Sequence, residues 1–253
     1  MNGIDYSIEK ELLIPVLRNR DLRRWGSQSS TMLIYPYNRE TKQQIPWTVL
    51  RNSFPGTACY LKSIRKQLAS RRSLRGKAWY SLIEPRLSAV TMKSPFLVAA
   101  EIGLRPTICH PTPSNASVIG NFWLFLQAEE YDIDVLMAYL NSTVAEWYLR
   151  QQSPLLSGGY ILLREENLAK LPVPRFLKDH KSFVFGELKK LSTALAEKST
   201  MFGGPLPMSV RSDILRMEEQ VDSLILQAAD LTSDQAMYLR SKVMAAREVA
   251  VGR

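Results

Sequence analysis

Two prolines one residue apart, in Leu171-Pro172-Val173-Pro174, divide this 253-residue chain into parts of different periodicity. Proline fixes φ and offers no backbone N–H, so the segment continues neither a helix nor the interior of a sheet. A domain boundary is expected there. Before it, Thr31 to Tyr37, Phe96 to Ala100 and Phe122 to Leu126 are short β-branched or apolar runs that read as strands, the last two as the buried sheet of a core. Beyond it the spacing is helical, with Val184, Leu188, Leu191 and Leu195 on one stripe and Ile214, Met217, Val221, Leu224, Ile225 and Ala228 on another. Gly203-Gly204-Pro205 separates the two helices, and Thr232-Ser233-Asp234-Gln235 has the spacing of a capping box opening a last helix with Leu239 and Val243. The expected fold class is α+β, with a mixed-sheet domain over 11–174 and a small helical region over 175–253.

Two local signals refine the first part. Asp132 is placed to cap a helix whose one face carries Ile133, Leu136, Met137, Leu140, Val144, Trp147 and Tyr148. Ser157-Gly158-Gly159-Tyr160 reads as a turn in which glycine allows a close backbone approach.

Charge is the next constraint. The chain is +9 at neutral pH with pI ≈ 9.6, which favours an acidic partner such as nucleic acid. From Glu11 to Arg86 there are 15 Lys/Arg against 4 Asp/Glu, whereas Phe176 to Arg253 has 11 against 10. Two runs carry this excess. Leu17 to Trp25 holds Arg18, Arg20, Arg23 and Arg24, whose planar forks suit phosphate oxygens and guanine edges. Tyr60 to Lys77 spaces Leu61, Ile64 and Leu68 helically beside Lys62, Arg65, Lys66, Arg71, Arg72, Arg75 and Lys77, with no acid among them. That pattern predicts a helix with a phosphate-tracking face. Trp79 and Tyr80 follow, as candidates to stack on an unpaired base or to fill the core.

Catalytic constellations are missing from the sequence. Cys59 and Cys109 cannot build a disulfide framework or a thiolate zinc site, and His110 and His180 are the only histidines. No Gly-x-Gly cradles a cofactor, and no Asn-Pro-Pro-Tyr is present to hold an amino group for methyl transfer. Glu187-Leu188-Lys189 matches half of a nuclease signature but falls on a predicted helix, so it reads as helix surface. No basic n-region with an apolar h-region opens the chain, and no run of about 18 apolar residues occurs, so a soluble intracellular protein is expected.

Taken in order, Leu17 to Trp25, Tyr35-Pro36-Tyr37, Trp79-Tyr80 with Pro85-Arg86, Tyr139-Leu140-Asn141-Ser142, Gly158-Gly159-Tyr160 and Leu171 to Pro174 resemble the C-terminal specificity domain of TaqI-like N6-adenine DNA methyltransferases and fused type IIG restriction-modification enzymes. The resemblance spans roughly 160 residues, and 216–243 also resembles the closing helices of such proteins. It departs around Lys93-Ser94-Pro95, where the family's Lys-Ile step is degenerate, and the methyltransferase domain that normally precedes the region is expected to be supplied by a separate chain. It implies a target-recognition domain that binds double-stranded DNA without catalysis, beside a methyltransferase or restriction partner that carries S-adenosylmethionine. The arginines of Leu17 to Trp25 then become DNA contacts. By its helical spacing, the stripe of Ile214, Met217, Val221, Leu224 and Ile225 either docks that partner or completes the core. The competing readings are an interaction protein that occupies and regulates a restriction-modification enzyme, and a fragment of a fused enzyme.

Overall fold

The computed structural model describes residues 5–74, 76–83, 85, 95–114, 116–120, 122–126, 130–202 and 205–251. Arg75, Arg86, Lys93, Ser94, Gly203 and Gly204 lie outside the described residues. In chain order the strands are β1 (Leu13–Leu17), β2 (Leu22–Arg23), β3 (Gly26–Ser27), β4 (Thr31–Ile34), β5 (Phe96–Ala100), β6 (Ile102–Gly103), β7 (Ile108–Cys109), β8 (Ser117–Val118), β9 (Phe122–Leu126), β10 (Leu155–Leu156) and β11 (Tyr160–Leu162). The helices are α1 (Trp47–Ser53), α2 (Pro55–Ser63), α3 (Arg65–Ala69), α4 (Ile133–Leu140), α5 (Thr143–Gln152), α6 (Glu165–Leu168), α7 (Phe183–Thr200), α8 (Met208–Ala228) and α9 (Ser233–Val251). The fold is α+β, with several small sheets in place of one central sheet.

The chain forms two compact units, and the double proline is not the division between them. The first comprises Met1–Val16, Ser29–Lys93 and Asn115–Val118; the second comprises Leu17–Gln28, Ser94–Ser114 and Ile119–Arg253. Leu171 to Pro174 therefore lies inside the second unit. The prolines do interrupt regular structure, since Pro172 and Lys170 offer their carbonyls to the hydroxyls of Tyr139 and Tyr148 instead of to a ladder.

In the first unit, β1 pairs antiparallel with β4, Leu13 facing Ile34 and Val16 facing Thr31, and β8 joins on the other side of β1. Leu12, Leu50, Leu61 and Tyr80 are buried together, with Trp47, Phe54 and Trp79 packed against them. The helix expected over 60–77 begins earlier, at Pro55, and breaks at Ile64. Its start is fixed by Glu9, whose carboxylate accepts from the N–H groups of Gly56 and Thr57 at 2.8 Å each. An anion there satisfies two of the donors that a helix N-terminus leaves open.

In the second unit, β5 lies between β7 and β9, with the five-residue ladder running from Phe96 opposite Leu126 to Ala100 opposite Phe122. Both strands thus fall on the expected residues. Asp132 caps α4 by accepting from Asp134 and Val135 N–H. The helix expected through Tyr148 is interrupted at Asn141, and Ser142 caps a second helix, α5, by accepting from Ala145 N–H. The Asn141 side chain takes over the role of a strand residue, accepting from Ile108 N–H at 3.1 Å and donating to Ile108 O at 2.8 Å. Gly158 and Gly159, at φ 81° and 74°, turn the β10–β11 hairpin.

Helices α7, α8 and α9 complete this unit's core. Phe185, Leu188, Leu195, Val221 and Ile225 are buried with Leu97, Val135, Met137 and Leu149 in one cluster. The Thr232 box forms as expected, Thr232 N–H donating to Gln235 Oε1 and Gln235 N–H to Thr232 Oγ1. Among the described residues, no helix is long and apolar enough to cross a membrane.

Candidate nucleic-acid interface

The arginine run at 18–24 folds inward. Arg24 Nε donates to Glu218 Oε1 at 2.7 Å, Nη2 to Asn141 O at 2.6 Å and Nη1 to Pro106 O at 3.3 Å. Trp25, buried in the core at φ 74°, donates its indole N–H to the same Glu218 oxygen at 2.6 Å. A left-handed backbone is strained for a tryptophan, and here it aims the ring inward while the next residue, Gly26, passes close to α7. A Cβ on Gly26 would stand 2.8 Å from Thr200 Cγ2. Arg23 donates to Phe202 O, and Arg18 pairs with the buried Asp21. Arg20 is the one of the four that is largely exposed. The structure removes Arg24 from the candidate DNA contacts, because its guanidinium is already bonded on three sides.

Glu218 belongs to a larger buried network. Glu146, fully buried, takes Arg247 on both oxygens at 3.1 and 2.6 Å, Arg150 at 3.1 Å and Arg105 at 3.4 Å. Arg105 also reaches Glu218 at 3.5 Å. Burial alone would raise both carboxyl pKa values. The Arg247 bond and charge on Glu146, and the Arg24 and Arg105 charges on Glu218, outweigh it and hold both below the ordinary range. Nothing in the local sequence marks Glu146 or Glu218, which read as ordinary helix residues.

The second cationic stretch behaves differently. Lys62, Arg65, Lys66, Arg72 and Lys77 are exposed on α2, α3 and the turn that follows. Among the described residues, no carboxylate forms an ion pair with any of them. Arg71 differs from its neighbours: it turns in and donates to the carbonyls of Leu68, Trp79 and Ser81, at 2.8 to 3.0 Å. It holds the segment in shape. Arg65 lies over the Trp79 ring at 5.2 Å. The first unit as a whole has 13 Lys/Arg against 5 Asp/Glu, and the second 20 against 19. Nearly all of the chain's positive excess therefore belongs to the unit that bears this surface.

The aromatic pair is structural. Trp79 packs edge-on against Trp47 at 4.9 Å and Tyr80 at 5.4 Å, and the buried Tyr80 donates its hydroxyl to Ile45 O. Tyr80 has no open face of the kind that stacks a base, and Trp79 is half-buried with Arg65 over its ring. The expected partner stripe is also internal: Val221 and Ile225 are buried, and Ile214, Met217 and Leu224 pack on the same cluster. An apolar stripe buries against whatever apolar surface is nearest, and α7 supplies it here. Among the described residues, no three His, Cys, Asp or Glu side chains cluster so as to hold a metal ion.

No protein-family model matches the sequence, and no curated protein matches it. The structure is similar to that of the type IIL restriction-modification enzyme MmeI, solved in complex with DNA, with a TM-score of 0.50 at 10% identity over 96% of this chain. The chain spans about a third (32%) of the length of that enzyme. The likeness is one of fold, and it places the architecture of this chain with a portion of a restriction-modification enzyme.

Proposed function

We propose that this chain is a non-catalytic DNA-recognition element of a restriction-modification system, of the kind found as the specificity domain of TaqI-like adenine methyltransferases. In this reading it works with a methyltransferase or restriction subunit that binds S-adenosylmethionine. The observation that carries it is the segregation of charge: a net +8 in the first unit, to which Lys62, Arg65, Lys66, Arg72 and Lys77 contribute exposed cations that no carboxylate pairs with among the described residues. Unpaired cations in a row gain most from a polyanion, because each phosphate they neutralise releases condensed counterions. The fold likeness to an enzyme solved with DNA supports the same reading. These cations position the duplex, and polar side chains elsewhere read base edges.

The test is to incubate the purified chain with duplex DNA and labelled S-adenosylmethionine, alone and mixed with an adenine methyltransferase from the same restriction-modification locus. Duplex binding that weakens with salt, and site-specific label that appears only on mixing, are the expected results. Label transferred by the chain alone, or no affinity for duplex even at about 50 mM salt, would overturn the proposal.

A further inference from the structure

The second unit holds a cavity of about 420 Å³ that DNA recognition by the first unit leaves without a purpose. Arg105, Arg240 and Arg247 line it, and so do carboxylates whose bonding state decides what the cavity can accept. Glu218 already takes Arg24 and the Trp25 indole N–H on one oxygen, at 2.7 and 2.6 Å. Asp222 accepts from the N–H of Thr143 at 2.7 Å and from its hydroxyl. Glu219 is exposed, where water screens it.

The cations are less well satisfied. Arg105 reaches its two carboxylates only at 3.4 and 3.5 Å, beyond the usual range for a charged hydrogen bond. Arg240 donates to Ser223 Oγ at 3.1 Å and has further N–H groups to offer. Arg247, by contrast, is bound on both oxygens of Glu146. The buried network sets Arg24, Arg105, Arg150 and Arg247 against Glu146 and Glu218, and adding Asp222 with the exposed pair Arg240 and Glu219 still leaves one positive charge over. A surplus cation that is partly desolvated is costly unless an anion joins it. Burial, followed by the charge of Arg24, pushes the Arg105 guanidinium down to about 10.

We propose that this cavity is a binding site for a phosphate group, gripped by Arg105 and Arg240 while Arg247 fixes the wall behind them. Leu215 and Met244, both more than half exposed along the cavity, add an apolar flank suited to a phosphate that carries an organic group. The site is separate from the cationic surface of the first unit and does not depend on it.

The experiment is thermal unfolding of the full chain at constant ionic strength, titrated in turn with inorganic phosphate, adenosine 5′-monophosphate and a short duplex. A saturable rise in melting temperature with either small phosphate is expected. Arg240→Ala removes an exposed side chain outside the buried network, so it should leave the ligand-free melting temperature unchanged and weaken the response by at least about tenfold, the scale of one charge-assisted bond. A rise seen only with duplex, lost in Arg240→Ala and kept when Lys62, Arg65, Lys66 and Arg72 are replaced, assigns the site to backbone phosphate. No saturable rise, or one that Arg240→Ala leaves intact, overturns the proposal. A response to duplex alone, lost only in the first-unit variant and unmatched by either small phosphate, overturns it as well, and in that case the DNA surface stands without the cavity.

Discussion

Arg24 Nε and Glu218 Oε1 lie 2.7 Å apart although 194 residues separate them in sequence. The pair ties the arginine run to helix α8, and Trp25 shares the same carboxylate oxygen. Removing one member of a buried ion pair leaves the others charged and uncompensated. Glu218→Ala should therefore destabilise the second unit by about 3–5 kcal/mol, because it strands Arg24, Arg105 and the indole N–H together. Urea unfolding followed by Trp fluorescence measures it. A loss below about 1 kcal/mol would mean that the pair behaves as a surface contact.

Acid stability should follow the same network. Glu146 and Glu218 have folded pKa values held below the unfolded value of about 4.3. A depressed carboxyl contributes stability that is present above the unfolded pKa and is lost as pH falls through the folded one. The second unit should thus be at full strength above about pH 5 and weaken steeply below about pH 4. Glu146→Gln should be less stable at neutral pH but show a flatter decline on the acid side. An unchanged acid slope would show that other carboxyls govern it.

Arg71 and its exposed neighbours should separate cleanly in a pair of assays. Arg71→Ala breaks bonds to three carbonyls and should cost about 2–3 kcal/mol of stability. The combined replacement of Lys62, Arg65, Lys66 and Arg72 by Ala should leave stability within about 0.5 kcal/mol per site, since these side chains are exposed. In DNA binding the order reverses: the combined variant should reduce the slope of log affinity against log salt by about 3 to 4. An unaltered slope would take this surface out of the interface.

Gly26 should not tolerate a methyl group. Alanine would place Cβ 2.8 Å from Thr200 Cγ2 and 2.9 Å from Ser199 Cβ, both on α7. A destabilisation of about 1–3 kcal/mol is expected from such overpacking, read as a lowered urea midpoint. A neutral Gly26→Ala variant would mean that β3 moves away from α7 at little cost.

What the sequence determined by itself was local. Asp132 before an apolar stripe, the Thr232 to Gln235 box, the runs at 96–100 and 122–126 and the Gly158-Gly159 turn all formed where their residues placed them, because each rests on contacts within a few positions or on backbone freedom. The break at Asn141 was legible in principle, since Ser142 is a good cap, but a continuous apolar stripe hid it. The fate of charge and of apolar stripes was decided by tertiary structure alone. Nothing in the neighbouring residues tells an exposed guanidinium from one paired with a buried carboxylate, so Arg24 differs from Arg65 in what the fold brings to it. The stripe on α8 likewise carries no mark of whether α7 or another protein will cover it. Burial is a property of the partner surface as much as of the helix, and the partner here lies far along the chain.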